Sequence, residues 1–65
     1  MITYVTFEGR DRNDNDRCTN FRKRERALKY AQKSKYEYVV IHVYEGTPDD
    51  ELAYYQDTIF EREAQ

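Results

Sequence analysis

Residues 36–45, Tyr-Glu-Tyr-Val-Val-Ile-His-Val-Tyr-Glu, decide the fold of this chain. Aromatic and β-branched residues, which favour strands, fill most of the segment. Successive side chains of a strand lie on opposite faces, so one face carries Val39, Ile41 and Val43. The other face carries Tyr36, Tyr38, Val40, His42 and Tyr44. We therefore predict a strand with apolar or aromatic side chains on both faces.

The residues upstream predict a strand, a loop and a helix. Alternating β-branched and aromatic residues over 2–8 predict a first strand. Residues 9–17 contain no apolar side chain and many turn formers, so an exposed polar loop is expected over 9–18. Thr19 or Asn20 is a suitable N-cap for a helix from Phe21 to about Ser34. Its shallow inner face is predicted to contain Phe21, Arg24, Ala27, Leu28 and Ala31.

The residues downstream predict a chain reversal and a last strand. Residues 46–50, Gly-Thr-Pro-Asp-Asp, suit a turn, and a strand from Leu52 to about Glu61 would then pair antiparallel with the preceding one. The alternation breaks in its middle, which indicates a bulge near Gln56. A short helical start over 49–55 is the competing interpretation. Residues 62–65 are expected to form a frayed tail.

These elements predict a single α+β domain over residues 1–65. Its order is β-α-β-β, a three-stranded, mostly antiparallel sheet with one helix packed on one face. A chain of 65 residues buries only about 60% of the surface that its unfolded form exposes, so the core is thin. Self-association as a homodimer is one way to extend such a core.

The charge of the chain is divided between its two parts. Residues 1–35 contain ten Lys or Arg and five acids, whereas residues 36–65 contain one Arg and eight acids. Each part therefore offers a surface of one sign to partners. Three cations surround the first turn of the predicted helix, and either Asp14 and Asp16 or an external phosphate or acidic partner is expected to balance them.

The cysteine content and the hydropathy of the chain bear on its compartment. Cys18 is the only cysteine, which is typical of a reducing compartment. No stretch resembles a signal peptide or a membrane span. We expect a cytoplasmic protein, in the host cytoplasm if the chain is viral.

The helix can cover only one face of the predicted sheet. We expect Val5, Phe7, Val39, Ile41 and Val43 to pack against it. The opposite face would then collect Ile2, Tyr4, Tyr36, Tyr38, Val40, His42, Tyr44, Tyr54 and Phe60. Docking on another protein or on a second copy is the favoured use of this face. The alternatives are base stacking on a single-stranded nucleic acid and a face that is merely half-buried.

Two sets of contact residues follow from this interpretation. The set predicted to bind a partner protein is Tyr4, Tyr36, Tyr38, His42, Tyr44, Tyr54, Asp49, Asp50 and Glu51. The acids of the second half disfavour a phosphate backbone on the sheet. An anion or a nucleic acid would instead contact the basic helix, at Arg22, Lys23, Arg26 and Lys29.

The sequence contains no recognisable catalytic or metal motif. His42 is the only histidine, and with Cys18 it supplies too few ligands for zinc and no recognisable nucleophilic site. Residues 11–15, Asp-Arg-Asn-Asp-Asn, copy the first ligand positions of a calcium loop, but Asp16 and Arg22 replace the required Gly and Glu. We therefore expect no enzyme activity, no cofactor and no metal.

In style, a short, charged, Tyr-rich β-α-β-β chain resembles the small proteins with which bacteriophages inhibit host enzymes or defence systems. The element order is also similar to that of dodecins, although the chain has no Trp and lacks their motifs. The Tyr-rich sheet face and the acidic hairpin favour a small protein-binding module or inhibitor, and the resemblance in style implies one that blocks a host enzyme or defence system. The alternative is a nucleic-acid-binding protein that uses the basic helix.

Overall fold

The computed structural model describes residues 1–46 and 54–63. Its elements are β1 Ile2–Gly9, β2 Arg17–Phe21, α1 Arg24–Lys33, β3 Tyr38–Glu45 and β4 Tyr54–Glu63. The strands form one antiparallel sheet in the order β2-β1-β3-β4. The structure is therefore α+β, as predicted, but the sheet has four strands instead of three.

The additional strand is β2, which the sequence analysis divided between the loop and the helix. Its residues, Arg-Cys-Thr-Asn-Phe, lack the apolar alternation that marks a strand. β2 needs little apolar surface because it is an edge strand with exposed side chains at Arg17, Cys18 and Asn20. The element order is β-β-α-β-β, so the similarity in order to dodecins does not hold.

β1 presents the opposite faces from those predicted. It pairs antiparallel with β3, with Val5 opposite His42 and Phe7 opposite Val40, so Val5 and Phe7 lie on the sheet face away from α1. Tyr4 packs against the core beneath the helix. Both the odd-numbered and the even-numbered positions of β1 carry β-branched or aromatic residues. The sequence pattern alone therefore did not determine which set faces the helix.

The core lies between α1 and the sheet. Its buried centre consists of Ala27 and Ala31 from the helix and Val39 and Ile41 from β3. Two alanines let the helix approach the sheet closely. Partly buried apolar residues surround this centre, namely Tyr4, Phe21, Leu28, Ile59 and Phe60. The assignment of Phe60 to the opposite face was therefore wrong.

The helix begins later than predicted. α1 starts at Arg24 after the N-cap Lys23, whose side chain makes no capping hydrogen bond. The predicted caps, Thr19 and Asn20, belong to β2 instead. Phe21 pairs with Tyr4 near the start of β1, whereas the 10–16 loop follows the end of β1. The acids of that loop therefore lie at the opposite end of the sheet from the first turn of the helix.

β4 confirms the predicted bulge and extends beyond the predicted end. The register between β3 and β4 shifts twice. The β4 residues left without a cross-strand partner are Gln56 and Ile59. Arg62 and Glu63 are paired residues of β4, so the expected frayed tail is wrong at these two positions. The competing helical start over 49–55 is wrong at Tyr54 and Tyr55, which are strand residues of β4. Residues 47–50 of the predicted turn, residues 49–53 of that helical start and the last two residues lie outside the described part of the chain.

A buried carboxylate attaches the C-terminal end of the helix to β1. Glu8 is 2% exposed, and its two carboxylate oxygens accept hydrogen bonds of 2.6 Å from the hydroxyls of Tyr30 and Ser34. Arg17 Nε lies 3.6 Å from the same carboxylate. A buried charge is tolerated when it is paired and hydrogen-bonded in this way.

Within residues 1–46 and 54–63, no helix has the length and apolar character needed to cross a bilayer.

We predict that Glu8→Gln lowers the free energy of unfolding by about 1–2 kcal/mol, because an amide accepts these hydrogen bonds less strongly than a carboxylate and does not attract Arg17. Urea denaturation followed by circular dichroism measures the change. Glu37→Gln, at an exposed position, is the matched control. Equal stability of the two variants would contradict a structural role for the Glu8 carboxylate.

Candidate functional site

The candidate site is a cleft on the sheet face that α1 does not cover, which we call the aromatic cleft. Its volume is about 430 Å³, within the range of small ligand sites. Its walls come from β1, β3, β4 and the 10–16 loop. The lining residues are Phe7, Arg12, Asn15, Tyr38, Val40, His42, Tyr44 and Glu61.

His42 is the centre of a cluster of rings in this cleft. Its ring centroid lies 5.4 Å from that of Phe7, 5.4 Å from that of Tyr55 and 6.4 Å from that of Tyr44. Tyr44 and Tyr55 also meet edge to face, at 6.0 Å. Such pairs contribute roughly 0.5–1.5 kcal/mol each beyond the area they bury. Three strands thus hold the rings in one arrangement before any partner binds.

The floor of the cleft is buried and its walls are accessible. Tyr38 is only 4% exposed and Val40 only 2% exposed. Phe7 and Tyr44 are half-buried, whereas Tyr55, beside the cleft, is 54% exposed. The face is therefore a shallow depression with accessible aromatic walls, and it exposes less aromatic surface than the sequence suggested.

Tyr38 and Glu61 line one end of the cleft, and Glu63 lies beside this end, opposite Tyr38 in the strand pairing. The hydroxyl of Tyr38 donates a hydrogen bond of 3.0 Å to Glu61 Oε2. Burial, and secondly this carboxylate, raise the pKa of Tyr38, so its hydroxyl stays protonated and remains a donor. Arg12 Nη2 lies 2.7 Å from Glu63 Oε1 and 3.7 Å from Glu61 Oε2. The hydrogen bond to Glu63 is the largest factor that raises the pKa of Arg12 above its ordinary value.

Arg12 is carried over the cleft by a tight hairpin turn. The backbone amide of Asp14 donates to the carbonyl of Asp11 at 3.1 Å, and the amide of Asn13 donates to the Asp11 carboxylate at 2.8 Å. The side chain of Asn15 donates to the carbonyl oxygens of Asp11 and Arg12. The Asp-x-Asn-x-Asn pattern is therefore explained by turn hydrogen bonds. Among the residues that the structure describes, no group of three His, Cys, Asp or Glu side chains is arranged to hold a metal.

A glycine permits this turn to fold back on the sheet. Gly9 is buried at the end of β1, and a Cβ atom there would overlap the carbonyl oxygen of Asp14 and the Cα of Asn15. The close approach of the loop backbone therefore requires a residue without a side chain. The position of Arg12 above the cleft depends in turn on this approach.

The structure brings together only some of the predicted partner-binding residues. Tyr38, His42 and Tyr44 line the cleft. Tyr4 packs under the helix instead, and Tyr36 and Tyr54 are exposed outside the cleft. Asp49, Asp50 and Glu51 lie outside the described residues. The other lining residues were not in the predicted set: Val40 was expected on this face only, and Phe7, Arg12, Asn15 and Glu61 were not assigned to it.

Cys18 and His42 lie on strands that are separated by β1. Cys18 pairs with Phe7 of β1, and His42 pairs with Val5 of β1 from the other side, so the whole of β1 lies between them. Two strand spacings separate their backbones by about 9–10 Å, and Phe7 of β1 lies between the two positions. The geometry therefore gives no support to nucleophilic chemistry by these residues.

The second charged surface is the solvent side of α1 and the residues that precede it, which we call the basic face. Its exposed cations are Arg22, Lys23, Arg24, Arg26, Lys29 and Lys33. Glu25 is the single acid of the helix. In the described part of the chain, ion pairs are formed by Arg12, Arg17 and the N-terminal amine, and by none of these six cations. The basic face lies on the side of the sheet opposite the aromatic cleft.

We predict that His42 titrates below its ordinary value in the folded protein. Burial lowers the pKa of His42, and the negative charge of Glu61 opposes this effect only in part. The unfolded chain therefore binds the proton more tightly, so stability is fully present above the unfolded value of about 6.5 and is lost as the pH falls through the folded pKa.

Two measurements check this expectation. Proton NMR titration of the imidazole gives the folded pKa, and urea unfolding at about pH 7.5 and about pH 5.5 gives the loss of stability. His42→Phe keeps a ring in the cluster and should remove the part of the pH dependence that is due to this group. A folded pKa at or above about 6.5 would contradict the assignment.

Comparisons of the chain with known protein families, with curated proteins and with solved structures gave no match. Neither the aromatic cleft nor the basic face is therefore assigned by likeness to another protein. The function of the chain has to be inferred from the geometry and charge of these two surfaces.

Proposed function

We propose that the chain is a protein-binding module that contacts its partner through the aromatic cleft. The observation that supports this proposal is the cluster of rings around His42, held by three strands on the sheet face that α1 leaves uncovered. Tyr is enriched among the residues that contribute most to protein interfaces, because its ring buries a large area and its hydroxyl tolerates water. A pre-formed cluster also reduces the entropy lost on binding.

The charge around the cleft favours a basic partner surface. Glu61 lines one end of the cleft, and Glu63 lies beside it on the same face of β4, where both carboxylates are close to Arg12. Acidic residues around an aromatic centre steer the approach of a positively charged protein and disfavour nucleic acid at the same surface. A protein of this kind acts as an inhibitor if it occupies the basic groove in which an enzyme or a defence protein binds its own substrate. A homodimer formed through the same face is the form of the proposal in which the partner is a second copy.

We predict that Tyr55→Ala weakens partner binding at least tenfold, because Tyr55 is the most exposed ring of the cluster and its loss removes aromatic area from the proposed contact surface. Tyr54→Ala is the matched control, since Tyr54 is 64% exposed and the alternation of β4 places it on the other face. Proteins retained on the immobilised wild-type chain from cells that encode it would be identified by mass spectrometry. Their affinities for the purified variants would then be compared.

Equal binding by the Tyr55→Ala and Tyr54→Ala variants would contradict the proposal. Light scattering on the wild-type chain addresses the homodimer separately. A dimer that is weakened by Tyr55→Ala and unaffected by Tyr54→Ala identifies the partner as a second copy. A monomer at all concentrations removes the homodimer and leaves a different protein as the partner.

A second candidate function is nucleic-acid binding by the basic face. The observation that favours it is the group of six exposed cations that form no ion pair with the carboxylates of the described residues. Cations of one sign along a helix neutralise phosphates and release counterions, so the affinity of such a surface falls steeply with salt. The aromatic cleft lies on the opposite side of the sheet, so base stacking there would not accompany this contact.

We predict that, if this function holds, the wild-type chain binds a fluorescent oligo(dT) at low salt, as measured by anisotropy. Arg26→Glu/Lys29→Glu should weaken the binding at least tenfold and flatten its salt dependence, by about 0.7 in logarithmic slope for each phosphate that the variant no longer neutralises. Arg10→Glu/Lys35→Glu gives the same change of net charge at two exposed positions outside the basic face. No binding by the wild-type chain at low salt, or equal losses of affinity in the two double variants, would exclude the basic face as a nucleic-acid site.

A further inference from the structure

The aromatic cleft carries one basic side chain of its own. Arg12 lines the cleft from the hairpin loop and donates a hydrogen bond of 2.7 Å to Glu63, with Glu61 at 3.7 Å. Among the described residues that line the cleft, it is the only Lys or Arg. The loop reaches this position because Gly9 lets its backbone approach closely. The chain thus places a guanidinium beside its own aromatic walls.

The chemistry of the cleft suits a cation. Phe7 and Tyr44 present half-buried aromatic surfaces to the cleft, and such rings attract ammonium and guanidinium groups through their π-electrons. Glu61 supplies a carboxylate to the lining of the cleft, and Glu63 lies beside it on the same face of β4. The hydroxyl of Tyr38 orients Glu61 by its hydrogen bond. A carboxylate beside aromatic walls matches both the charge and the apolar stem of a Lys or Arg side chain.

The ion pairs of Arg12 are also easy to displace. The side chain of Arg12 is 67% exposed, and those of Glu61 and Glu63 are 42% and 46% exposed. Exposed ion pairs of this kind contribute little, because water screens the charges and long side chains lose entropy on pairing. An incoming cation that also packs on the rings can therefore replace Arg12 without destabilising the fold.

We propose that the aromatic cleft is a receptor for a single Lys or Arg side chain of the partner protein, and that Arg12 occupies the carboxylate end of this receptor until the partner displaces it. The inference rests on the proposed protein-binding function and specifies what the cleft recognises. Arg12 acts as a resident competitor for the carboxylate of Glu61. A basic side chain of the partner must therefore bind this end of the cleft more strongly than Arg12 does.

The test uses N-acetyl-arginine amide as the probe and N-acetyl-citrulline amide as its uncharged isostere. Each is titrated into the full chain while the amide resonances are followed by NMR. We expect the arginine probe to shift Phe7, Tyr44 and Glu61, with a dissociation constant on the order of 10 mM, as suits one side chain. The citrulline probe should produce little change.

Two pairs of variants assign the residues. Arg12→Ala should tighten the arginine probe by up to about fivefold, the factor that corresponds to an exposed ion pair, whereas Arg10→Ala should leave it unchanged. Glu61→Gln should weaken the probe at least threefold, whereas Glu37→Gln, at an exposed position outside the cleft, should have no effect. All four positions are exposed, so the variants are expected to fold.

Each outcome bears on a different part of the proposal. Equal shifts by the arginine and citrulline probes, or shifts confined to residues outside the cleft, would overturn the receptor for a cation. Unchanged affinity in Arg12→Ala would overturn the role of Arg12 as resident competitor. Failure of the broader protein-binding proposal is recognised separately, as equal partner binding by the Tyr55→Ala and Tyr54→Ala variants.

Discussion

The antiparallel pairing of β1 with β3 is the constraint on which the rest of the structure depends. These two strands pair along their whole length, from Ile2 opposite Glu45 to Gly9 opposite Tyr38. The register places Thr6 and Ile41 on the helix side and Phe7 and Val40 in the cleft. A shift of this register by one residue would turn the side chains of β1 to the opposite face of the sheet relative to those of β3. It would bring Glu8 into the cleft and remove its hydroxyl partners on the helix.

The same pairing explains which parts of the molecule the sequence predicted and which it did not. The faces of β3 were predicted because its β-branched and aromatic residues separate by parity, and the bulge at Gln56 was predicted because the alternation breaks there. The faces of β1 were not predicted, because the residues at its odd and its even positions favour strands equally. Only the register with β3 decides which of the two sets faces the helix. β2 was missed because an edge strand can form from polar residues once β1 offers an unpaired edge.

The residues of the aromatic cleft also fall into two groups, those that the sequence predicted and those that it did not. Tyr38, His42 and Tyr44 were assigned to one surface because they share a parity on one strand, a local property of the sequence. Phe7 and Arg12 reach the cleft through the fold, Phe7 through the β1 register and Arg12 through the folded-back hairpin turn. The Asp-x-Asn-x-Asn spacing carried a signal for that turn, since Asp and Asn side chains favour local hydrogen bonds to the backbone. No local pattern indicates which carboxylate the guanidinium of Arg12 then meets.

Two sets of charged groups lie at the end of the sheet near the hairpin loop, one on each face, and they differ in burial. The buried set stabilises the fold, whereas the exposed set contributes to the proposed recognition of a partner. On the helix side, Glu8 is buried and its oxygens are occupied by two hydroxyls, so the loss of its charge is expected to weaken the fold. On the cleft side, Arg12 meets Glu61 and Glu63 in water, where the same kind of charge pairing stabilises little. Because the cleft-side pairing contributes little to the fold, its carboxylates remain available to a partner. The sheet lies between the two sets. Replacement of Arg12 by a basic side chain of the partner would therefore leave the hydrogen bonds between Glu8 and the helix undisturbed.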